Sequence, residues 1–457
     1  MSNRNITDPS SLARGLTLDR RAFMGVVGVA AFGNASAAEL PASPVWVPAE
    51  GPNQPIGEGK GIHPGRVVWI HNPHAARWSG DAQECGWFDD ASTDPVLCAQ
   101  MLSKALQFQT GASSDSEAWG AIFRHYNKTH GRGDTGYRAG EQVVLKLNLN
   151  CSKRQADPAP GLYNTPQMTS ALLHQLVEQA GIPQADIVIL DASRLASDVF
   201  VDRCRSEFPQ IRIEDRDGTT GRVKARPDKN AALYFGDPRT PSHGETYLPA
   251  SITSADYLIN VALLKGHSLA GVTLCAKNHF GSVYRENAGP DDPHHGWNPS
   301  HMHDGILVRS RPIGSYNPLV DLMGHRHLGG KTVLYLIDAL YATPHQSVAP
   351  EKWVSAPFGG HWTASLFVSQ DPVAIDSVAV DFFAAEQTAK QMTGTVDNYL
   401  HEAALAHQSP SKTRYAPSGD DVVLASLGVH EHWNNPQQRQ YSRNLGLERG
   451  IELITGS

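Results

Sequence analysis

The sequence predicts an α/β protein: a largely parallel sheet flanked by helices, interrupted by one long irregular insertion. Three observations carry this. Apolar segments of strand length alternate with segments of helical periodicity along the 457 residues. Several strand segments are apolar at consecutive positions, as in strands covered on both faces. Residues 282–330 break the pattern, with few periodic segments and much Gly, Pro, His and Asp.

Taken in order, residues 38–65 are rich in Pro and Gly and read as a surface lead-in or linker. Residues 67–70 form a short buried strand ending in His71-Asn72-Pro73. Residues 95–108 repeat apolar side chains at helical spacing, through Val96, Met101, Leu102 and Leu106, and residues 118–126 do likewise. A strand at 142–149 precedes a helix at 165–180, with Pro166 at its first position. A buried strand at 186–190 and a short helix at 199–208 follow. Further apolar strands are expected at 255–264, 331–340 and 364–368, and helices at 372–385 and 396–407. One domain, 66–457, would hold these elements. Its 282–330 segment would be a His-rich loop or lid, anchored by Trp297, Met302, Tyr316 and Leu322.

Residues 1–37 read as a twin-arginine signal peptide. Asp19-Arg20-Arg21-Ala22-Phe23-Met24 carries adjacent arginines, a short apolar run extends from Val26 to Phe32, and Ala35-Ser36-Ala37 has the small-residue spacing of a cleavage site. The expectation is a periplasmic protein whose first partner is the twin-arginine export machinery. That run is too short and too rich in Gly and Ala for a stable membrane span. Export in the folded state favours a protein that acquires a metal or cofactor before crossing.

Composition narrows the functions. A formal net charge of −7 lacks the basic field of a nucleic-acid binder. The five cysteines, Cys85, Cys98, Cys151, Cys204 and Cys275, include no C-x-x-C, so no iron–sulfur cluster is expected. There is no P-loop, G-x-S-x-G, H-E-x-x-H or dinucleotide-binding glycine pattern.

Three stretches together resemble a known family. They are Gly140 to Asn150 (GEQVVLKLNLN); Asn260 to His267 (NVALLKGH) with Gly271 to Gly281 (GVTLCAKNHFG); and Asp371 to Asp376 (DPVAID). The chain resembles the "domain of unknown function 362" family from about residue 66 onward, most densely between 140 and 380. The leader and Gly65 to Trp69 (GRVVW) resemble its exported subgroup. Many members carry a ferredoxin-like cluster domain; this chain lacks those cysteine runs, so a cluster-based redox role is not carried over. The resemblance implies the fold more than a reaction.

Ligands of open α/β sheets sit beyond the carboxyl ends of the strands, which selects the candidate residues. Lys146, Asn148 and Asn150 alternate at a strand end, so period two puts a cation and two amides on one face, or leaves them a solvated strand end. Lys265 and His267 end the next apolar strand, and Lys277 and Asn278 return about ten residues later. Two ammonium groups brought together there would grip an anion or supply a base; otherwise they are independent surface lysines. His267 is a candidate general acid or base. Asp191 ends its strand as a ligand or a turn residue. Asp371-Pro372 is an N-cap and first-turn pair. Asp376, among apolar neighbours, needs a partner that Lys265 or Lys277 could supply.

The insertion adds Asp291, Asp292, His294, His295, His301, His303 and Asp304, with His325 and His327 after it. In extended backbone His301-x-His303 presents two imidazoles to one side, a candidate site for one transition metal. The reading that follows is an enzyme binding a small polar or anionic molecule through Lys146, Asn148, Asn150, Asp191, Lys265, Lys277, Asn278 and Asp376. Its rivals are a non-catalytic metal-binding or delivery protein, and a periplasmic binding or scaffold protein.

Overall fold

A computed structural model describes residues 46–153, 161–236, 246–284, 305–307, 311–386 and 394–457. The leader, residues 1–37, and the pair His301 and His303 lie outside the described residues.

The strands are β1 (Ile56–Gly57), β2 (Arg66–His71), β3 (Val143–Lys146), β4 (Ile187–Asp191), β5 (Arg212–Asp215), β6 (Val223–Lys224), β7 (Pro227–Ala232), β8 (Tyr247–Pro249), β9 (Tyr257–His267), β10 (Gly271–Thr273), β11 (Thr332–Thr343), β12 (Ser365–Ser369), β13 (Val429–His430) and β14 (Glu452–Gly456). Ten of them form one sheet in the order β14-β2-β12-β11-β9-β3-β4-β5-β6, with β10 folded back antiparallel on β9. From β11 to β6 every neighbouring pair is parallel. β12 runs antiparallel between β11 and β2. The fold is therefore α/β with a mostly parallel sheet, as the alternating pattern predicts.

Helices cover both faces, which explains the unbroken apolar runs. Alternate residues of β9 enter different cores: Tyr257, Ile259, Val261 and Leu263 pack on one face, Ala262 and Leu264 on the other. The first face holds the helices Pro95–Thr110, Asp115–Thr129, Pro166–His174 and Asp198–Glu207. The second holds Pro318–Gly324, Pro372–Ala385 and Asn398–Ala404. Helix starts follow local chemistry. Asp94 accepts from the Val96 and Leu97 N–H groups ahead of Pro95, and Asp371 accepts from Val373 and Ala374 ahead of Pro372.

β5 and β14 carry no long apolar run, and the sequence pattern passes over both. The lead-in is docked at its described end. Trp46 is buried and donates its Nε1–H to Asp397 Oδ1 at 3.1 Å, and the Asn53 N–H reaches the His432 carbonyl at 2.9 Å. Among the described residues all five cysteines are free thiols, three of them buried. No described helix is long and apolar enough to cross a membrane.

Candidate functional site

A cavity of about 260 Å³ opens at the carboxyl ends of β3, β4 and β9. Asn148, Asn150, Arg194, His267, Lys277 and Asn278 line it, with Asp191, Ser193, Thr273, Phe280, Gly281 and Gln346. A larger cleft of about 330 Å³ lies at the amino end of β11, beside Tyr126, His130 and Thr332. The strand-end cavity is the better candidate, because amide and cationic side chains converge on it where α/β sheets bind ligands.

Three expected ligand contacts, Lys146, Lys265 and Asp376, are absent from its wall. Lys146 and Lys265 are fully buried, and period two sends them to opposite faces of the sheet. Lys146 shares the parity of Val144, and Lys265 that of Val261 and Leu263. Lys277 lies on the helix Cys275–Asn278, which packs on the face opposite Lys265, so the two do not form the expected ammonium pair. Lys265 Nζ donates to the Leu162 carbonyl at 3.0 Å. Desolvation pulls its pKa down to about 8, opposed weakly by Cys151. Lys277 follows the β10 return and sets its ammonium 3.8 Å from the centre of the Phe280 ring.

Lys146 belongs to a sealed polar knot under the cavity floor. Its Nζ donates to the Leu147 carbonyl and lies 3.4 Å from Asn278 Oδ1 and 3.6 Å from Asp191 Oδ2. Burial lowers its pKa, and the Asp191 carboxylate opposes that shift. Asp191 is also the turn residue: Oδ2 accepts from the Leu149 N–H, and Oδ1 from both the N–H and the hydroxyl of Ser193. Asn278 Nδ2 lies within hydrogen-bond distance of the Lys146 and Val261 carbonyls and of Asn260 Oδ1, stitching β3 to β9. A Cβ on Gly281 would come within 2.6 Å of both Lys146 Nζ and Asp191 Oδ1, so only glycine fits over the knot.

The cavity wall is rigid in the same way. Asn148 Oδ1 accepts from the Asn150 N–H. Asn150 donates to the Gln346 carbonyl at 2.8 Å and accepts from Arg194 Nε at 2.7 Å. His267 Nδ1 accepts from the Leu269 and Ala270 N–H groups at 3.1 and 3.2 Å. That places the ring proton on Nε2, making His267 a neutral hydrogen-bond donor rather than a base.

Asp376 does not meet a lysine. Its oxygens accept from the Cys275 and Ala276 N–H groups, at 2.8 and 3.0 Å, and from the Tyr399 hydroxyl at 3.0 Å. It caps the short helix Cys275–Asn278 and so positions Lys277 and Asn278. Burial pushes its pKa up to about 6, against those donors. His325 is equally occupied: Nδ1 accepts from the His327 N–H, and burial pulls its pKa down to about 3.

A second cluster involves none of the cavity's lining residues; the sequence signals it only through His430-x-His432, the same His-x-His spacing as His301 and His303. One ligand-type atom from each of Glu50, Asp397, His430 and His432 lies within 4.8 Å of the others. His401 Nε2 adjoins them, 3.0 Å from Glu50 Oε2 and 3.5 Å from Asp397 Oδ2. His430 and His432 alternate across β13 and its exit, while Glu50 comes from the lead-in and Asp397 and His401 from a distant helix start. Desolvation opposes the charge on His401, but Asp397 and Glu50 raise its pKa to about 9. His430 is pushed well below the usual histidine value, first by burial and then by His432.

No curated protein matches the chain. The family model described as "Domain of unknown function (DUF362)" matches residues 143–381. That span starts at β3, includes the Lys146 knot, the β9–β10 return and Asp376, and ends within the helix Pro372–Ala385. It covers more than half of the sequence, and on that match the chain belongs to the DUF362 family.

Proposed function

We propose that this is an exported, periplasmic enzyme that binds a small polar, anionic molecule in the strand-end cavity. One observation carries the reading: Lys277, Arg194, His267 and the Asn148–Asn150 amides converge on one rigid concavity. Lys277 and Arg194 supply positive charge. His267 offers a fixed neutral N–H, suited to polarising a carbonyl or phosphoryl oxygen in the manner of an oxyanion donor. Lys146, Asp191, Asn278 and Asp376 act from beneath as positioning residues.

Inorganic phosphate and small mono- and dicarboxylates are the probes. At least one is expected to bind the mature protein saturably in calorimetry, and Lys277→Met to weaken it by about tenfold or more, near 1.4 kcal/mol. If no probe binds, or Lys277→Met binds the same probe equally well, the cavity is not an anion site. The route rests on the Arg20-Arg21 leader. Arg20→Lys with Arg21→Lys should leave the protein in the cytoplasmic fraction; undiminished periplasmic protein would refute twin-arginine export.

A second reading, a non-catalytic metal-binding protein, is favoured by the Glu50–His432 cluster.

A further inference from the structure

We propose that Glu50, Asp397, His430 and His432 bind one divalent first-row transition ion. The first ground is unmet bonding. Glu50 Oε2, Asp397 Oδ2 and the Nε2 atoms of His430 and His432 are all buried without an aligned hydrogen-bond partner. Isolated buried polar atoms are seldom left so, and four of them converging within 4.8 Å need a common partner.

Hydrogen bonds on the far side of two rings show what that partner must be. Ser377 donates its hydroxyl to the Val373 carbonyl at 2.7 Å, so at 2.8 Å from His430 Nδ1 its oxygen is the acceptor. The proton of His430 therefore sits on Nδ1, and Nε2 turns a lone pair into the cluster. His432 Nδ1 lies 2.6 Å from Asp381 Oδ1. The other oxygen of Asp381 is held by the Trp433 N–H and the Tyr441 hydroxyl. His432 is thus oriented as carboxylate–histidine–metal triads orient their ligands. Asp397 spends Oδ1 on Trp46 and presents Oδ2. Lone pairs and carboxylate oxygens crowded together repel one another unless a cation lies among them.

Spacing agrees. With metal–ligand bonds of about 2.1 Å, neighbouring and opposite ligands of one ion stand about 3.0 to 4.2 Å apart. The cluster shows 3.7 Å for His432 to Asp397 and 4.0 Å for His430 to Glu50, and His401 flanks it as an ion-pair partner of Glu50 at 3.0 Å. Two imidazoles and two carboxylates without sulfur select Zn, Fe, Mn, Co or Ni over Cu(I) or a cluster. Glu50 belongs to the lead-in, so the ion would also tie that segment to the body of the domain.

The test uses mature protein purified after native export. Elemental analysis is expected to find about one equivalent of one such ion. His430→Ala/His432→Ala should lose it, while His301→Ala/His303→Ala keeps it. Because the buried double variant could fail to fold, a second arm strips the wild type with chelator and reloads it with Co(II). Reloading should restore the melting temperature, protect the lead-in from protease and give visible Co(II) bands that Glu50→Gln alters. Metal-free wild type that ignores Zn, Mn, Fe, Co and Ni after stripping would leave an imidazolium–carboxylate network and overturn the site. So would metal lost only in the His301/His303 variant. Neither result bears on anion binding at Lys277, because no cluster residue lines that cavity.

Discussion

Replacing Asp191 by alanine is expected to lower the unfolding free energy by about 3–5 kcal/mol, the usual cost of stranding one member of a buried ion pair. The reason is the knot under the cavity. Asp191 is the carboxylate that faces the fully buried Lys146 ammonium, 3.6 Å away, and it satisfies the Leu149 N–H and both donors of Ser193. Without it, a desolvated cation and three donors lose their partner inside a closed site. Adding Lys146→Met to Asp191→Ala removes the stranded charge and should recover part of the loss, about 2 kcal/mol. Urea unfolding of the single and double variants measures this, compared at equal denaturant slopes. A single variant within about 0.5 kcal/mol of wild type, the range of ordinary surface changes, would show that the pair does not hold the strand ends.

Asp321→Asn is expected to make the protein more stable than wild type at pH 8 and to confer no advantage at pH 4. Asp321 is fully buried in the helix Pro318–Gly324. Its Oδ2 accepts from the Tyr316 hydroxyl and the Gly236 N–H, while Oδ1 has no partner. Burial therefore pushes its pKa up to about 7, against about 3.9 in an unfolded chain. Between those values the native state holds a proton that the unfolded state has released. Stability falls as pH rises across that window, by about 1.4 kcal/mol per pH unit and about 4 kcal/mol in all, and this group adds no further slope outside it. Asparagine keeps an oxygen acceptor for Tyr316 and Gly236 and cannot ionise. Denaturation midpoints at pH 4, 6 and 8 should diverge between variant and wild type; parallel curves would mean that Asp321 does not titrate in this range.

Much of the architecture was legible from local physics. Both faces of the central strands are buried, so β3, β4, β9, β11 and β12 are mainly apolar on both faces, and the Asp371-Pro372 helix start follows from one side chain and one fixed torsion. β14 escaped notice because a short strand at the sheet's edge beside β2 needs no apolar run. The candidate cavity was half legible. The strand-end rule pointed to Asn148, Asn150, His267, Lys277 and Asn278, all of which line it, and to Lys146 and Lys265, which do not.

The misplaced lysines show where pattern runs out. Period two, counted from Val144 and from Leu263, places Lys146 and Lys265 on opposite faces once β3 and β9 are registered side by side. That register is set by packing over the whole sheet and leaves no mark near either residue. Asp376 likewise reads as a buried charge seeking a cation. What it meets is a helix N-terminus folded over it from about a hundred residues earlier.

Alternation, apolar runs and caps act over a few residues, and they determine which segments become strands and helices here. The site depends on long-range closure. Glu50, Asp397 and His432 are brought together by the docking of the lead-in, the Asn398–Ala404 helix and β13, across more than 350 residues of chain. Short-range pattern marks only the His430-x-His432 pair; Glu50 and Asp397, read among their own neighbours, are ordinary polar residues.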